Sequence, residues 1–316
     1  MKAYFLLPLL VSGGLLAQSD YHPRDTTYSI HSSYEKIRRS HPEVRPVYPR
    51  LPAGVLADTN LVYTSVENGR QLYLDVFRRL EERGPRPGVL LIHGGGWTTG
   101  SKENQIPMAQ QLADRGYVTV TPEYRLSAEA PYPSGVKDLK QALRWMRAHA
   151  TEYGIDSNRI AVYGASAGAH LASLLGVTAE RSLYDTLGPW QGHSAQVQAV
   201  LNIDGIVSFV HPEAEPEWTG RSANAWLGDY AVHQDRWREA SPLEYVDRHA
   251  PPFLFVNSSY PRFHAGRDDL FRMLDEQGIY HEDHTFPDSP HAFWLLDPWF
   301  EPTLELTVQF LKRVFP

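Results

Sequence analysis

Short apolar runs alternate with amphipathic segments from about residue 56 to the C-terminus. In the segment 134–150, for example, apolar positions recur every three or four residues, which predicts a helix with one apolar face. The alternation of strands and helices predicts a parallel sheet with helices on both faces. The runs that predict its buried strands lie at 89–92, 117–122, 160–163, 197–204 and 253–256. A final strand is predicted at 280–286 and a closing helix at 302–314.

The first part of the sheet follows a different pattern. Two alternating apolar runs, at 61–66 and 71–77, are separated by a short stretch that contains Asn68-Gly69. Asn-Gly between such runs is a strong signal for a β-hairpin. The sheet is therefore predicted to open with an antiparallel pair of strands.

Two stretches lack the strand and helix pattern. Residues 18–55 are polar and carry five prolines, which predicts an N-terminal arm on the surface, with a short helix near 34–39. Residues 208–245 are polar and aromatic and are interpreted as a cap or lid inserted into a catalytic domain that spans 56–316.

Composition and charge exclude several classes of protein. The chain of 316 residues has room for one large α/β domain, and it has a net charge of -7 and no basic run, so nucleic acid is not expected as a partner. It contains no cysteine, which excludes disulfides, thiol nucleophiles and thiolate metal sites.

The first 17 residues have the pattern of a cleaved signal peptide. Lys2 precedes an apolar stretch at 4–16, and Ala17, after which cleavage is predicted, follows it. The apolar stretch is shorter than the roughly 20 residues of a membrane-spanning helix. We therefore expect a secreted or periplasmic protein without a membrane anchor.

The sequence Gly164-Ala-Ser-Ala-Gly168 joins the apolar run at 160–163 to a segment of small residues. A G-x-S-x-G sequence between a strand and a helix is typical of a nucleophile elbow, whose sharp turn exposes the serine hydroxyl above the sheet. The two glycines keep side chains out of the crowded turn. Ser166 is therefore the predicted nucleophile.

A second glycine-rich sequence, His93-Gly-Gly-Gly-Trp97, directly follows the predicted strand at 89–92. Successive glycines at a strand end allow backbone N–H groups to turn toward an oxygen that carries negative charge, as in an oxyanion hole. The predicted donors are Gly95 and Gly96, with the N–H of Ala167 as the third.

A serine nucleophile needs a base, and the base needs an orienting carboxylate. His291 lies in a short loop after the last predicted strand and is the predicted base. Asp204, at the end of the run 197–204, is the favoured acid, with Asp269 or Asp268 as the alternative. His281 and His284 are predicted to lie on opposite faces of one strand, which argues against a shared metal, and neither a metal nor a cofactor is expected.

These motifs together resemble α/β-hydrolases of the esterase branch that includes hormone-sensitive-lipase-like enzymes and bacterial carboxylesterases. The resemblance implies an eight-stranded sheet and a serine, histidine and acid triad that acts through an acyl-enzyme. The residues that carry it are His93-Gly-Gly-Gly-Trp97, Tyr124-Arg-Leu126, Ala130-Pro-Tyr-Pro133, Asp138, Gly164-Ala-Ser-Ala-Gly168 and Pro290-His291.

The sequence departs from this family after the predicted strand 253–256. The family usually places its catalytic aspartate there, whereas Asn257-Ser-Ser-Tyr-Pro-Arg262 contains no acid. The departure favours Asp204. The tract 257–269, with 298–302, is also similar to secreted carbohydrate esterases of polysaccharide-degrading bacteria, some of them directed at pectin.

The resemblance and the site together predict an esterase that removes methyl or acetyl groups from a plant polysaccharide, with pectin favoured. A feruloyl or small-acyl carboxylesterase, including an acetylxylan esterase, is the alternative within the enzyme class, and a non-catalytic carbohydrate-binding homologue is the alternative outside it. The candidate substrate-binding residues are Trp97, Trp226, Arg262 and His264. For Trp226 a core position, and for Arg262 and His264 pairing with nearby acids, remain alternatives.

Overall fold

The computed structural model describes residues 24–80, 84–179, 181–185, 188–214 and 216–316. The signal peptide predicted at 1–17 lies outside these ranges. The strands are β1 (Arg45–Pro46), β2 (Val55–Ser65), β3 (Gln71–Arg79), β4 (Arg86–Ile92), β5 (Val118–Pro122), β6 (Ile155–Ala165), β7 (Ala199–Ile203), β8 (Phe253–Asn257), β9 (His281–Thr285) and β10 (Leu296–Asp297). The helices are α1 (Ile30–Ile37), α2 (Ile106–Asp114), α3 (Ser134–Ala148), α4 (Ala150–Tyr153), α5 (Ala167–Thr178), α6 (Pro216–Leu227), α7 (Tyr230–Glu239), α8 (Arg267–Glu276) and α9 (Phe300–Val314).

Eight of these strands form one sheet in the order β2-β3-β5-β4-β6-β7-β8-β9. Strand β3 runs antiparallel to both of its neighbours, whereas all pairs from β5 to β9 are parallel. The predicted mostly parallel sheet of eight strands is therefore confirmed, and so is the antiparallel pair at its start. The parallel strands bring the segments that follow β4, β6, β7 and β8 to one edge of the sheet.

Both faces of the sheet are buried. In β4, Val89 and Leu91 contribute to one apolar core with residues of α2 and α9, while Leu90 and Ile92 contribute to a second core with residues of α3 and α5. Successive side chains of a strand point to opposite faces. A strand that is covered on both faces therefore has a continuous apolar run, as the sequence shows at 89–92.

The helix of the N-terminal arm begins earlier than the predicted 34–39. The Ser29 hydroxyl accepts a hydrogen bond from the Ser32 N–H, and the Ser32 hydroxyl accepts one from the Ser29 N–H. This reciprocal pair is a capping box with serine in place of the usual glutamate. It fixes the start of α1 at Ile30 rather than at Tyr34.

The arm connects two loops at the edge of the sheet where the parallel strands end. Strand β1 pairs antiparallel with β10, which lies a few residues after His291. At the other contact, the Gly100 N–H donates to the Asp25 carbonyl at 2.8 Å. The arm thus joins the glycine-rich loop after β4 to the loop that carries the predicted base.

In the described ranges, no helix combines the length and the apolar character that crossing a membrane requires.

Candidate active site

Ser166 lies in a sharp turn between β6 and α5, with φ 56° and ψ -121°. This conformation is strained for a residue with a side chain, and the glycines on either side make the turn possible. A Cβ atom on Gly164 would lie 2.0 Å from the Gly168 carbonyl oxygen, and one on Gly168 would lie 2.2 Å from the Ile92 carbonyl oxygen. The local sequence therefore folds as the predicted nucleophile elbow.

The Ser166 hydroxyl is hydrogen-bonded to a histidine from the opposite end of the chain. Its Oγ lies 2.8 Å from Nε2 of His291, and Nδ1 of His291 lies 2.6 Å from Oδ2 of Asp204. Because the acid accepts from Nδ1–H, Nε2 is left to accept the serine proton. The structure thus brings the predicted nucleophile, base and favoured acid into one hydrogen-bonded chain.

Asp204 directly follows β7, has φ 58° and is fully buried. Burial alone raises the pKa of its carboxyl group, but the nearby imidazoles of His264 and His291 and the Ser258 N–H outweigh this effect, and the pKa falls to about 2. The Ser258 N–H donates to Oδ1 at 2.7 Å, and Nε2 of His264 lies 3.5 Å from the same oxygen. The carboxylate is therefore ionised at neutral pH and held by groups on two segments, one after β8 and one after β9.

The alternative acids, Asp268 and Asp269, lie in the first turn of α8 and point to other partners. The Asp268 side chain is 74% exposed and pairs with Arg267 at 2.9 Å. Asp269 pairs with Arg272 at 3.0 Å and lies 3.3 Å from His211. The structure places Asp204, and neither Asp268 nor Asp269, at Nδ1 of His291.

The imidazole of His291 packs between two aromatic rings. Phe263 stacks on it with a centroid separation of 3.5 Å and an interplanar angle of 12°, and Trp294 meets it edge-on at 5.0 Å. The two rings fix the plane of the base. Sequence reasoning missed Phe263, because a single aromatic residue in a loop carries no periodic signal.

The glycine-rich loop after β4 passes directly beside Ser166. A Cβ atom on Gly94 would lie 3.0 Å from the Ser166 Cβ, while Gly95 and Gly96 have φ of 118° and 60°. Within the described ranges, the N–H groups of Gly95, Gly96 and Ala167 have no hydrogen-bond acceptor. They remain the candidate donors to an oxyanion.

Arg24 of the N-terminal arm supports this loop from behind. Its guanidinium donates to the Gly100 carbonyl at 3.0 Å and to Nε2 of His93 at 2.7 Å, while Nδ1 of His93 lies 2.7 Å from the Gly94 carbonyl. Burial and the adjacent guanidinium hold the pKa of His93 well below its usual range. The neutral ring therefore donates to Gly94 and accepts from Arg24, a role that the sequence did not reveal.

A small cavity of about 140 Å³ adjoins the Ser166 side chain. Among the predicted substrate-binding residues, Trp97 and Arg262 line it, together with Ser222 of α6. His264 lies outside this cavity, with its Nε2 near Asp204, and lines a neighbouring larger cleft.

Trp226, also predicted as a substrate-binding residue, does not line the cavity. The ring is 1% exposed and stacks on Trp97 with centroids 5.2 Å apart and planes at 8°. The Trp97 indole donates in turn to Nδ1 of His170 at 3.2 Å. Trp226 therefore belongs to the apolar core that holds the cap against the elbow helix, the second of the two interpretations that its sequence allowed.

Metal ligation has no support among the described residues, where no cluster of histidine and acidic side chains is able to hold an ion. His281 instead pairs with Asp275 at 3.0 Å, and His284 lies 3.2 Å from Glu282.

Taken together, the sheet order, the elbow and the chain from Ser166 through His291 to Asp204 define an α/β-hydrolase. The BD-FAE family model matches residues 74–261, more than half of the 316 residues, and the chain belongs to the BD-FAE family. The predicted resemblance to esterases of this fold is thus confirmed.

Individual proteins that are similar to this chain have names that describe esterases. The probable carboxylic ester hydrolase LipM of Mycobacterium tuberculosis is 32% identical over 79% of this chain and 60% of its own length. The chain spans about half the length of such curated relatives, from 46% to 60%. Among solved structures, a bifunctional GH43-CE protein of Bacteroides eggerthii is 24% identical with a TM-score of 0.71, covering 82% of this chain and 38% of its own. A truncated carbohydrate esterase from gut microbiota is 20% identical with a TM-score of 0.71, covering 84% and 99%.

Proposed function

We propose that this protein is a serine carboxylic ester hydrolase that removes methyl or acetyl esters from a plant polysaccharide, with pectin as the favoured substrate. The observation that carries the proposal is the hydrogen-bonded chain from Ser166 through His291 to Asp204, next to the N–H groups of the glycine-rich loop. A carbohydrate-binding protein without catalysis has no need for a strained serine aligned with a base. The non-catalytic alternative is therefore not favoured.

In the proposed cycle, Ser166 Oγ attacks the ester carbonyl carbon while His291 Nε2 takes the hydroxyl proton. Asp204 stabilises the imidazolium that forms, and the N–H groups of Gly95, Gly96 and Ala167 stabilise the oxyanion. His291 then returns the proton to the departing alcohol, which leaves an acyl group on Ser166. Water, activated by His291, hydrolyses this acyl-enzyme. With a methyl ester, methanol leaves in the first half of the cycle.

The size of the cavity favours a small group over a feruloyl group. At about 140 Å³, it is smaller than the roughly 300–1,000 Å³ of pockets that enclose drug-sized ligands. Methyl and acetyl groups fit this space better than an aromatic acyl group does. The names of the two carbohydrate-esterase neighbours support a polysaccharide substrate, and the apolar N-terminal stretch supports secretion or a periplasmic location.

The test is to incubate the enzyme with methyl-esterified pectin and with acetylated xylan, and to measure methanol and acetate in parallel. Ser166→Ala is the control for contaminating esterases. Methanol from pectin supports the favoured substrate, while acetate from xylan alone makes the enzyme an acetylxylan esterase. Release of neither product by an enzyme that cleaves a chromogenic acetate would overturn the polysaccharide assignment.

A further inference from the structure

A second and much larger cleft opens beside the catalytic histidine. It has a volume of about 1,030 Å³ and lies between α1 of the N-terminal arm and the segment 260–268. His291 lines one end of it, and Arg262 lines both this cleft and the small cavity at Ser166. A polymer whose ester group reaches Ser166 therefore has a path into the cleft.

The acidic side chains in the cleft already have partners in the protein. The Glu213 carboxylate accepts from the Gly266 N–H at 3.1 Å, and Asp268 pairs with Arg267 at 2.9 Å. Lys36, in the last turn of α1, is exposed and forms no ion pair with any residue in the described ranges. The ammonium group of Lys36 is therefore available to an anionic ligand.

Aromatic rings hold a second cation between Lys36 and the reacting serine. The Arg262 guanidinium lies 4.6 Å from the centroid of Phe263 and 5.9 Å from that of Tyr260, and Phe263 stacks in turn on His291. Contacts of this kind fix the orientation of a guanidinium. Tyr260 is 43% exposed and offers a ring face to a sugar.

Resting on the proposed function, we propose that this cleft is a subsite for the uronate-bearing sugar chain that flanks the ester. Lys36 pairs with a uronate carboxylate, Arg262 orients the sugar unit nearest to Ser166, and Tyr260 packs against a pyranose face. The N-terminal arm, which lies outside the catalytic domain, thereby supplies part of the substrate site. The ligand class is an acidic oligosaccharide rather than a neutral one.

The test is to measure binding without turnover, by titration calorimetry in a Ser166→Ala background. The two probes are a de-esterified oligogalacturonide and a neutral xylo-oligosaccharide of the same length. Adding Lys36→Gln is expected to weaken oligogalacturonide binding by about three- to tenfold, the range of one partly exposed charge contact, and to change xylo-oligosaccharide binding by less than about twofold. The effect is expected to shrink as salt is raised, because the pair is exposed to solvent.

The matched control is Arg39→Gln, which removes the same charge three residues further along. Arg39 is exposed and does not line the cleft, so this variant is expected to bind both probes as its parent does. Equal losses from Lys36→Gln and Arg39→Gln, equal losses with both probes, or no binding of the oligogalacturonide by the parent would each overturn the subsite. These results are independent of product release, which tests the proposed function separately.

Discussion

Strands β7 and β8 are neighbours in the sheet, but the residues that follow them contribute to the site in different ways. After β7, Asp204 supplies a buried carboxylate to His291. After β8, Ser258 supplies only a backbone N–H to that carboxylate at 2.7 Å. The carboxylate at Nδ1 of the base thus comes from the end of β7, and the segment after β8 binds this carboxylate through its backbone.

The segment after β8 also contacts the base and the acid through two side chains. Phe263 stacks on His291, and His264 approaches the far oxygen of Asp204. The end of β7 thus supplies the charge, and the segment after β8 fixes the position of both the acid and the base.

Asp204→Asn is expected to lower kcat on a chromogenic acetate by about 10⁴, on the order of 5 kcal/mol, because the amide no longer stabilises the imidazolium or fixes its tautomer. The matched variant Asp269→Asn changes an exposed acid of α8 and is expected to leave kcat unchanged. A collapse in Asp269→Asn, with activity kept in Asp204→Asn, would place the acid after β8 instead.

The low pKa of Asp204 predicts a pH-dependent contribution to stability. The folded-state pKa, about 2, lies below the ordinary value of 3.8. The ionised carboxylate therefore stabilises the fold above pH 3.8, and this contribution is lost as pH falls toward 2. The loss is on the order of 2 kcal/mol. Urea unfolding of wild type and Asp204→Asn over this pH range measures the loss. The same pH dependence of the unfolding free energy in both proteins would contradict the prediction.

Phe263→Leu is expected to lower kcat by about fivefold, because an aromatic pair contributes roughly 1 kcal/mol to the orientation of the imidazole. KM for a small ester is expected to change less, since the ring acts through His291. The matched control is Phe271→Leu, which removes an equivalent stack on His281, where the centroids are 4.6 Å apart and the planes meet at 8°. Similar losses of kcat in both variants would indicate a general effect on folding.

His264→Gln is expected to have the smallest effect, about threefold in kcat, because two closer hydrogen bonds to Asp204 remain. His211→Gln is the control, since His211 makes a comparable approach to Asp269, at 3.3 Å, away from the reacting serine. A loss of a hundredfold or more in His264→Gln would show that His264 shares the role of His291.

The elements that could be predicted from sequence are those that depend on local steric requirements. The elbow needs glycine at 164 and 168 because the backbone atoms of the turn leave no room for a Cβ atom. The parallel strands follow from apolar runs, and their topology placed Asp204 at the same edge as Ser166. The absence of an acid in 257–262, directly after β8, also favoured Asp204 as the acid.

The supporting contacts could not be predicted because they join segments that are distant in sequence. Arg24 and His93 are 69 positions apart, and neither residue type indicates the other. The contact between Phe263 and His291 depends on the pairing of β8 with β9. For Trp226 the polar and aromatic sequence of 208–245 left both a core position and a substrate role open, and the ring packs into the core.

The central claim is that Ser166 is activated by His291 and an acid from the end of β7. The most direct test is the rate at which a fluorophosphonate labels the protein, followed by intact mass and by mapping of the labelled peptide. We expect one label on Ser166, none in Ser166→Ala, a rate lower by orders of magnitude in Asp204→Asn, and an unchanged rate in Asp269→Asn. Labelling of Asp204→Asn at the wild-type rate, or a label on another residue, would contradict it.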